Sequence, residues 1–107
     1  MDKVLDGTVV CGGIATGDVR VITEPQEATS VQPGEIVVVP CSHPEYALGL
    51  MEAAGLICEQ GGIISHICTV ALELGIPCVT EVKDAVRILQ SYERVTLDAD
   101  CGAIYAA

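Results

Sequence analysis

The hydrophobic residues of the chain come in short runs that are separated by glycine, proline and polar residues. Alternation of apolar and polar residues is typical of a strand with one buried face, whereas a short continuous apolar run is typical of a strand buried on both faces. Residues 36–39 form a run of the second kind, and residues 24–34, with two prolines and a glycine, predict a loop. The pattern predicts strands at residues 4–10, 18–22, 36–39, 56–58, 76–79, 94–97 and 103–105, with a break at residues 11–13 and a turn at residues 100–102.

Three further segments carry apolar residues at positions i, i+3, i+4 and i+7, which is the spacing of one helix face. They are Ala47, Leu50, Met51 and Ala54; Ile67, Val70, Ala71 and Leu74; and Val82, Ala85, Val86 and Leu89. Short strands interspersed with about three helices predict an α/β domain.

The residues that flank these segments predict where the first two helices begin and end. Ser42 can cap the first helix, Pro44 is tolerated in its first turn, and Glu45 completes a capping box. Gly55 and Gly75 follow the first and second apolar faces, so we expect each glycine to end its helix.

The size and charge of the chain narrow the classes of protein to which it can belong. Its 107 residues suit one domain, over residues 1–107, whose core must consist of Val, Ile, Leu, Ala and Cys because Trp and Phe are absent. The net charge is −10, from 15 acidic and 5 scattered basic residues. We therefore expect no nucleic-acid partner, which would need a basic surface, and the acidic surface favours a protein partner with a basic face.

No apolar run reaches the length that spans a bilayer, and the first residues contain no hydrophobic signal region. We therefore expect a cytoplasmic protein with no membrane contact.

Six cysteines are many for this length, and an even number is typical of secreted disulfide frameworks. Most of them lie in or beside apolar segments and no signal region precedes them, so we expect reduced thiols in the core. The groups Cys41-Ser42-His43 and His66-Ile67-Cys68 leave a metal-binding Cys/His protein as an alternative. Because the paired C-x-x-C spacing of zinc sites is absent, we expect no metal.

One loop combines a strand end, two glycines and a helix start, in the order Glu59-Gln60-Gly61-Gly62-Ile63-Ile64-Ser65-His66. Gly61 and Gly62 allow the backbone to approach a ligand closely. Ser65 is the predicted N-cap, so His66 occupies the first helical position. Because free N–H groups and the helix dipole favour negative charge there, the loop predicts an anion site with an imidazole beside it.

The chemistry that fits such a loop is phosphoryl transfer through His66. Neutral imidazole is a competent nucleophile, and its usual pKa keeps much of it neutral near pH 7. Glu59 can hydrogen-bond to the imidazole and fix its tautomer. The candidate phosphate-binding residues are Gly61, Gly62, Ser65 and Thr69, the last one helical turn from His66. Taken alone, the same residues also fit a surface histidine beside an ordinary glycine turn.

A longer stretch resembles a known family. Gly61-Gly62-Ile63-Ile64-Ser65-His66, followed by Val70-Ala71, Glu73-Leu74-Gly75-Ile76-Pro77 and Val79, resembles the central motif of the phosphoenolpyruvate-utilising enzyme mobile domain. That family includes the phosphohistidine domains of pyruvate phosphate dikinase, phosphoenolpyruvate synthase and enzyme I of the sugar phosphotransferase system. Weaker likenesses lie at residues 13–17, 44–45, 54–55, 95–98 and 102–105.

The resemblance implies a single swivelling β/β/α domain in which His66 carries a transient phosphoryl group. In the family, this domain moves between a nucleotide-binding domain and a domain that binds phosphoenolpyruvate or pyruvate. These partners, in the same parent chain or as separate subunits, are expected to bind Mg²⁺ and the nucleotide or phosphoenolpyruvate, with no cofactor on this domain. The chain would then be one component of a phosphotransferase and would not be active alone.

Three positions depart from the family pattern. Ile64 stands where the family usually has threonine, Leu72 where it has arginine, and Glu81 where it has glycine. The first change removes a hydroxyl near the imidazole, and the second removes a positive charge that a phosphate can use. The resemblance therefore leaves a second hypothesis, a swivelling-fold module that binds a partner or an anion without catalysis.

Overall fold

The structure, a computed structural model, describes residues 2–107, which form eight strands, two α-helices and two 3-10 helices. The predicted α/β class is therefore confirmed. The strands are β1 (Lys3–Asp6), β2 (Thr8–Cys11), β3 (Ile14–Val21), β4 (Ile36–Val39), β5 (Gly55–Cys58), β6 (Cys78–Thr80), β7 (Arg94–Asp98) and β8 (Ala103–Ala106). The α-helices are α1 (His66–Leu74) and α2 (Ala85–Leu89), and the 3-10 helices span Pro25–Ser30 and Pro44–Met51.

All eight strands join in one sheet in the order β1-β8-β7-β3-β4-β5-β6-β2. Strands β3 to β6 are parallel neighbours, and the remaining pairs are antiparallel. Strand β3 links the two halves, because its first part pairs with β7 and its last residues pair with β4. A Cβ atom at Gly17 would collide with the carbonyl oxygen of Gly34, so this crossing point requires glycine.

The parallel strands separate two hydrophobic cores because successive side chains point to opposite faces. Val37, Val39, Leu56, Cys58 and Cys78 face α1 and the second 3-10 helix. Their neighbours face α2 and the antiparallel strands, in a second core that includes Ile36, Val38, Ile57, Val79, Leu89 and Leu97. Strand β4 is fully buried on both faces, as its continuous apolar run predicts.

The predicted strands correspond to observed ones with two changes. The segment 4–10 is not one strand, because Gly7 separates β1 from β2 and the two parts pair with different partners, β8 and β6. Gly7 also has no room for a Cβ atom, which would lie 2.5 Å from the carbonyl oxygen of Thr80. Strand β3 begins at Ile14, four residues earlier than predicted.

The segment 24–34 is not a simple loop, because Pro25–Ser30 forms a 3-10 helix. The carboxylate of Glu27 accepts hydrogen bonds from the backbone N–H groups of Glu24 and Thr23, at 2.9 and 3.0 Å. These bonds lower the pKa of Glu27 and fix the start of the helix. Only Ala28 of this helix is buried, so no apolar stripe indicated it.

The first predicted helix is a 3-10 helix, and Ser42 is the wrong cap for it. His43, not Ser42, is the N-cap, and its Nδ1 accepts a hydrogen bond from the Glu45 N–H at 3.1 Å. Met51 is 70% exposed because the tighter 3-10 winding turns it away from the core. The helix ends at Met51, and Gly55 begins strand β5 instead of ending the helix.

Helices α1 and α2 match their predictions more closely. Gly75 ends α1 in the left-handed conformation, with a φ of 71°. The buried face of α1 consists of Ile67, Cys68 and Ala71, whereas Leu74 is 43% exposed. Among residues 2–107, no helix is long and apolar enough to cross a membrane.

Candidate functional site

Hydrogen bonds hold the first half of the loop between β5 and α1. The Gln60 N–H donates to the carbonyl of Pro40 at 3.1 Å, and the Cys58 thiol donates to the Gln60 carbonyl at 3.0 Å. The hydroxyl of Thr80, at the end of β6, donates to the carbonyl of Gly61. Gly61 has a φ of 129°, which favours glycine, so the loop needs this residue for its shape.

His66 is the first residue of α1 and Ser65 is its N-cap, as the sequence predicts. The side chain of His66 is exposed. The space beside Gly62 is open, because no atom lies within 4 Å of where its Cβ would be. The imidazole and the glycine loop are therefore accessible to a partner or a ligand.

The two predicted hydroxyl ligands have different environments. The Thr69 Oγ1 donates to the Ser65 carbonyl at 3.1 Å, within the first turn of α1. The Ser65 Oγ is buried and, among the described residues, has no nitrogen or oxygen partner; its neighbour is the Cys68 thiol, whose pKa a hydrogen bond with Ser65 helps to lower. Because a thiol is a weak partner, this hydroxyl at the helix start stays a candidate donor for an anion, although neither hydroxyl is shown to bind one.

The sequence reasoning missed two residues that support the loop. Ser42 accepts a hydrogen bond from the Ile67 N–H at 3.2 Å, so it caps α1, 25 residues further along the chain. Thr80 is fully buried and holds Gly61 from the next strand. Both contacts cross between segments that are distant in sequence, so no local pattern could have indicated them.

Glu59 has a different partner from the predicted one. Its Oε1 accepts a hydrogen bond from the Val86 N–H at 2.9 Å and so caps the start of α2. Orientation of the His66 imidazole by Glu59 stays a prediction. Beside Glu59 lies an open cleft of about 500 Å³, lined by Glu59, Gln60, Gly61, Glu81, Lys83 and Asp84. With three carboxylates and one ammonium group, this cleft is poorly suited to a phosphate.

The three departures from the family pattern have distinct surroundings. Ile64, just before α1, is 90% exposed, and Leu72, in the last turn of α1, is 55% exposed, so both apolar side chains face solvent. Cys68 is fully buried, so it does not share an exposed face of α1 with Leu72. Glu81 has a φ of 57°, a conformation that explains a glycine at this position in the family.

Behind the loop, the thiols of Cys58, Cys68 and Cys78 meet in the core that faces α1. All three residues are fully buried, and all six cysteines are free. Hydrogen bonds to Cys68, and then burial, raise the pKa of Cys58 and of Cys78. The same two hydrogen bonds lower the pKa of Cys68.

Comparisons with known proteins agree with this geometry. The model of the phosphoenolpyruvate-utilising enzyme mobile domain matches residues 31–102, which include the glycine loop and α1. The chain belongs to this family. It is 35% identical to the phosphoenolpyruvate synthase of Pyrococcus furiosus over 104 residues, which are 97% of this chain and 13% of that one. It is 34% identical to a probable phosphoenolpyruvate synthase of Methanothermobacter thermautotrophicus over 93 residues, or 87% of this chain and 14% of that one.

Solved structures support the fold of the mobile domain. Aconitase X of Thermococcus kodakaraensis, in its holo-form, superposes with a TM-score of 0.70 at 19% identity, covering 100% of this chain and 99% of that one. The N-terminal domain of Enzyme 1 - Nitrogen superposes with a TM-score of 0.57 at 19% identity, covering 65% of this chain and 30% of that one. At these identities the likeness concerns the fold alone.

Proposed function

We propose that the mobile domain carries a transient phosphoryl group on His66 between a donor site and an acceptor site on partner domains. The observation that carries the proposal is the exposed imidazole at the first position of α1, which follows the Gly61-Gly62 loop in sequence and lies within the matched residues 31–102. The donor is a nucleotide or phosphoenolpyruvate. The chain spans 13–14% of the length of the phosphoenolpyruvate synthases quoted above, which leaves room in such proteins for both partner domains.

Each transfer forms one bond to phosphorus and breaks another. The lone pair of the unprotonated ring nitrogen of His66 attacks the phosphorus atom, and the bond to the donor oxygen breaks, leaving its electron pair on that oxygen. The other ring nitrogen keeps its proton. The Ser65 hydroxyl and the backbone of the glycine loop would then bind the phosphoryl oxygens, and the acceptor would later displace the imidazole.

The partner domains must supply the positive charge that phosphoryl transfer needs. Four of the five basic side chains of the chain already form ion pairs, Lys3 with Asp6, Arg20 with Glu35, Arg87 with Asp84 and Arg94 with Asp18. We therefore propose that the partner domains supply Mg²⁺ and the basic residues, and that this domain supplies the nucleophile.

The proposal is tested by labelling. The chain is incubated with Mg²⁺, radiolabelled phosphoenolpyruvate or ATP, and a phosphoenolpyruvate synthase from which the corresponding mobile domain has been removed. We expect a label that is stable in base and labile in acid, as is typical of a nitrogen–phosphorus bond. His66→Ala should abolish the label without lowering the melting temperature, because the side chain is exposed.

His43 is the matched control because it is the other histidine of the chain. His43→Asn keeps a capping side chain for the second 3-10 helix and should be labelled like the wild type. A label that persists in His66→Ala would refute the proposal. If the wild type takes no label from either donor, the chain is the non-catalytic module of the second hypothesis.

A further inference from the structure

Two cysteines lie directly opposite each other on neighbouring strands. Cys11 of β2 is the register partner of Cys78 of β6 in an antiparallel pair. Opposed residues in such pairs have Cα atoms about 4.5–5.5 Å apart, within the range of about 4.4–6.8 Å that disulfides require. The backbone therefore already meets the first condition for a bond between them.

A bulge in β2 brings the two side chains to the same face of the sheet. The register shifts between Val9, which is opposite Val79, and Cys11, which is opposite Cys78. Without the shift, Cys11 would share the face of Val9. With it, Val10 and Cys11 both pack against the core cluster that contains Cys78.

Exposure distinguishes Cys11 from its neighbours. Cys58, Cys68 and Cys78 are fully buried, whereas Cys11 is half-buried on the strand at the end of the sheet. An oxidant in solution therefore reaches Cys11 before it reaches any of these three buried thiols. Exposed Cys41 and Cys101 lie outside the strands, and neither has a cysteine as a register partner.

We propose that Cys11 and Cys78 form a reversible disulfide when the protein meets a peroxide. Cys11 first attacks the peroxide and becomes a sulfenic acid, releasing one water, or one alcohol if the oxidant is an organic hydroperoxide. The sulfur of Cys78 then attacks that sulfenic sulfur, whose hydroxyl leaves as water with the thiol proton. The two thiols together lose two electrons and two protons, and one peroxide O–O bond is reduced.

The position of the new bond relates it to the glycine loop. The new bond would fasten β2 to β6, the strand whose Thr80 holds the Gly61 carbonyl. The disulfide is thus placed directly behind the candidate site, but its formation does not depend on the proposed function.

The experiment uses a background in which exposed Cys41 and Cys101 are replaced by serine, so that four thiols remain. The folded protein is treated with hydrogen peroxide, alkylated, digested and mapped by mass spectrometry. We expect the thiol count to fall from four to two, a peptide pair linked through Cys11 and Cys78, and full recovery of four thiols on reduction. The oxidised form should also melt at a higher temperature than the reduced form.

Cys11→Ser in the same background is the matched variant, because a half-buried edge position tolerates serine. It should keep all three of its thiols under the same treatment. A linkage between Cys68 and either Cys58 or Cys78 in the parent protein would overturn the proposal. So would the absence of any disulfide under peroxide doses that leave the fold intact.

Discussion

Two residues in the loop that precedes α2 adopt a backbone conformation that residues other than glycine rarely adopt. Glu81 and Asp84 have φ values of 57° and 59°, and both line the acidic cleft beside Gly61. The left-handed region costs a residue such as glutamate about 1 kcal/mol or more relative to glycine. Each backbone position therefore carries a local strain that the surrounding contacts offset.

Glu81→Gly should stabilise the domain by about 0.5–1 kcal/mol, because relief of the strained φ exceeds the added freedom of the unfolded chain. The exposed hydrogen bond from the Thr8 Oγ1 to the Glu81 Oε2, 3.3 Å long, contributes little against this gain. Urea unfolding measures the change. Lys83→Gly is the control, since Lys83 has no positive φ and should lose stability. Equal losses in both variants would show that strain at Glu81 is not the deciding effect.

Ser65→Ala should leave the unphosphorylated domain as stable as the wild type or raise its stability by up to about 1 kcal/mol. The reason is that the Ser65 Oγ is buried with only the Cys68 thiol as a partner, and a weak bond to sulfur does not offset the cost of burying a hydroxyl. Labelling of His66 should nevertheless fall if the hydroxyl binds the phosphoryl group. Ser30→Ala, which removes a 2.6 Å hydrogen bond to the Glu27 carbonyl, is the control and should lower stability. A clear loss of stability in Ser65→Ala would show instead that this hydroxyl has a strong partner.

Helix α1 shows which features of an element can be predicted from the sequence. Its start at His66, its N-cap Ser65 and its end at Gly75 follow from local capping rules and from the spacing of the apolar residues. Those rules do not predict that Pro44–Met51 forms a 3-10 helix instead of an α-helix, because Leu50 is buried in either case. The same limit applies to Ser42, which caps α1 across a tertiary contact that no local pattern records.

Leu72→Arg should change the free energy of unfolding by no more than about 0.5 kcal/mol, because Leu72 is 55% exposed in the last turn of α1. An arginine there also interacts favourably with the negative end of the helix dipole. The variant restores the usual residue of the family and should alter phosphoryl transfer with the partner domains. A lower rate would indicate apolar docking, and a higher rate would indicate that the missing charge served the phosphate.

Ala71→Arg is the control for this variant, since Ala71 is fully buried on the same helix and a charge there should unfold the domain. Thermal melts and the labelling assay measure both variants. A large loss of stability in Leu72→Arg would contradict its exposed position, and unchanged transfer would refute a role of this side chain in docking.

Taken as a whole, the molecule carries an excess of negative charge over a small surface. The net charge is −10, and the extents of the domain are 32 × 24 × 22 Å. The screening length of salt is about 30 Å at 0.01 M and about 8 Å at 0.15 M. At low salt each carboxylate therefore repels the other carboxylates across the whole domain, whereas at physiological salt it repels only the carboxylates close to it.

Raising NaCl from about 0.01 M to about 0.15 M should therefore raise the melting temperature, because screening relieves repulsion in the compact state. The triple variant Glu52→Gln, Glu73→Gln and Glu93→Gln removes three exposed charges. It should melt higher than the wild type at low salt, and the difference should shrink at high salt. A difference that does not depend on salt would show that these substitutions act through something other than charge.

The pairing of β1 with β8 determines how the domain can be joined to other parts of a protein. Lys3 lies opposite Tyr105, and the Ala106 N–H donates to the Asp2 carbonyl at 3.1 Å. The polypeptide therefore enters and leaves at the same point on the surface. In a longer protein such a domain would be joined to the rest of the chain by two linkers that start side by side. Rotation of the domain about this point moves the two linkers together, so it requires little change in the rest of the protein. Such a domain can be inserted into a surface loop of another protein, or lost from it, because the two ends of the loop that it joins lie only a few residues apart.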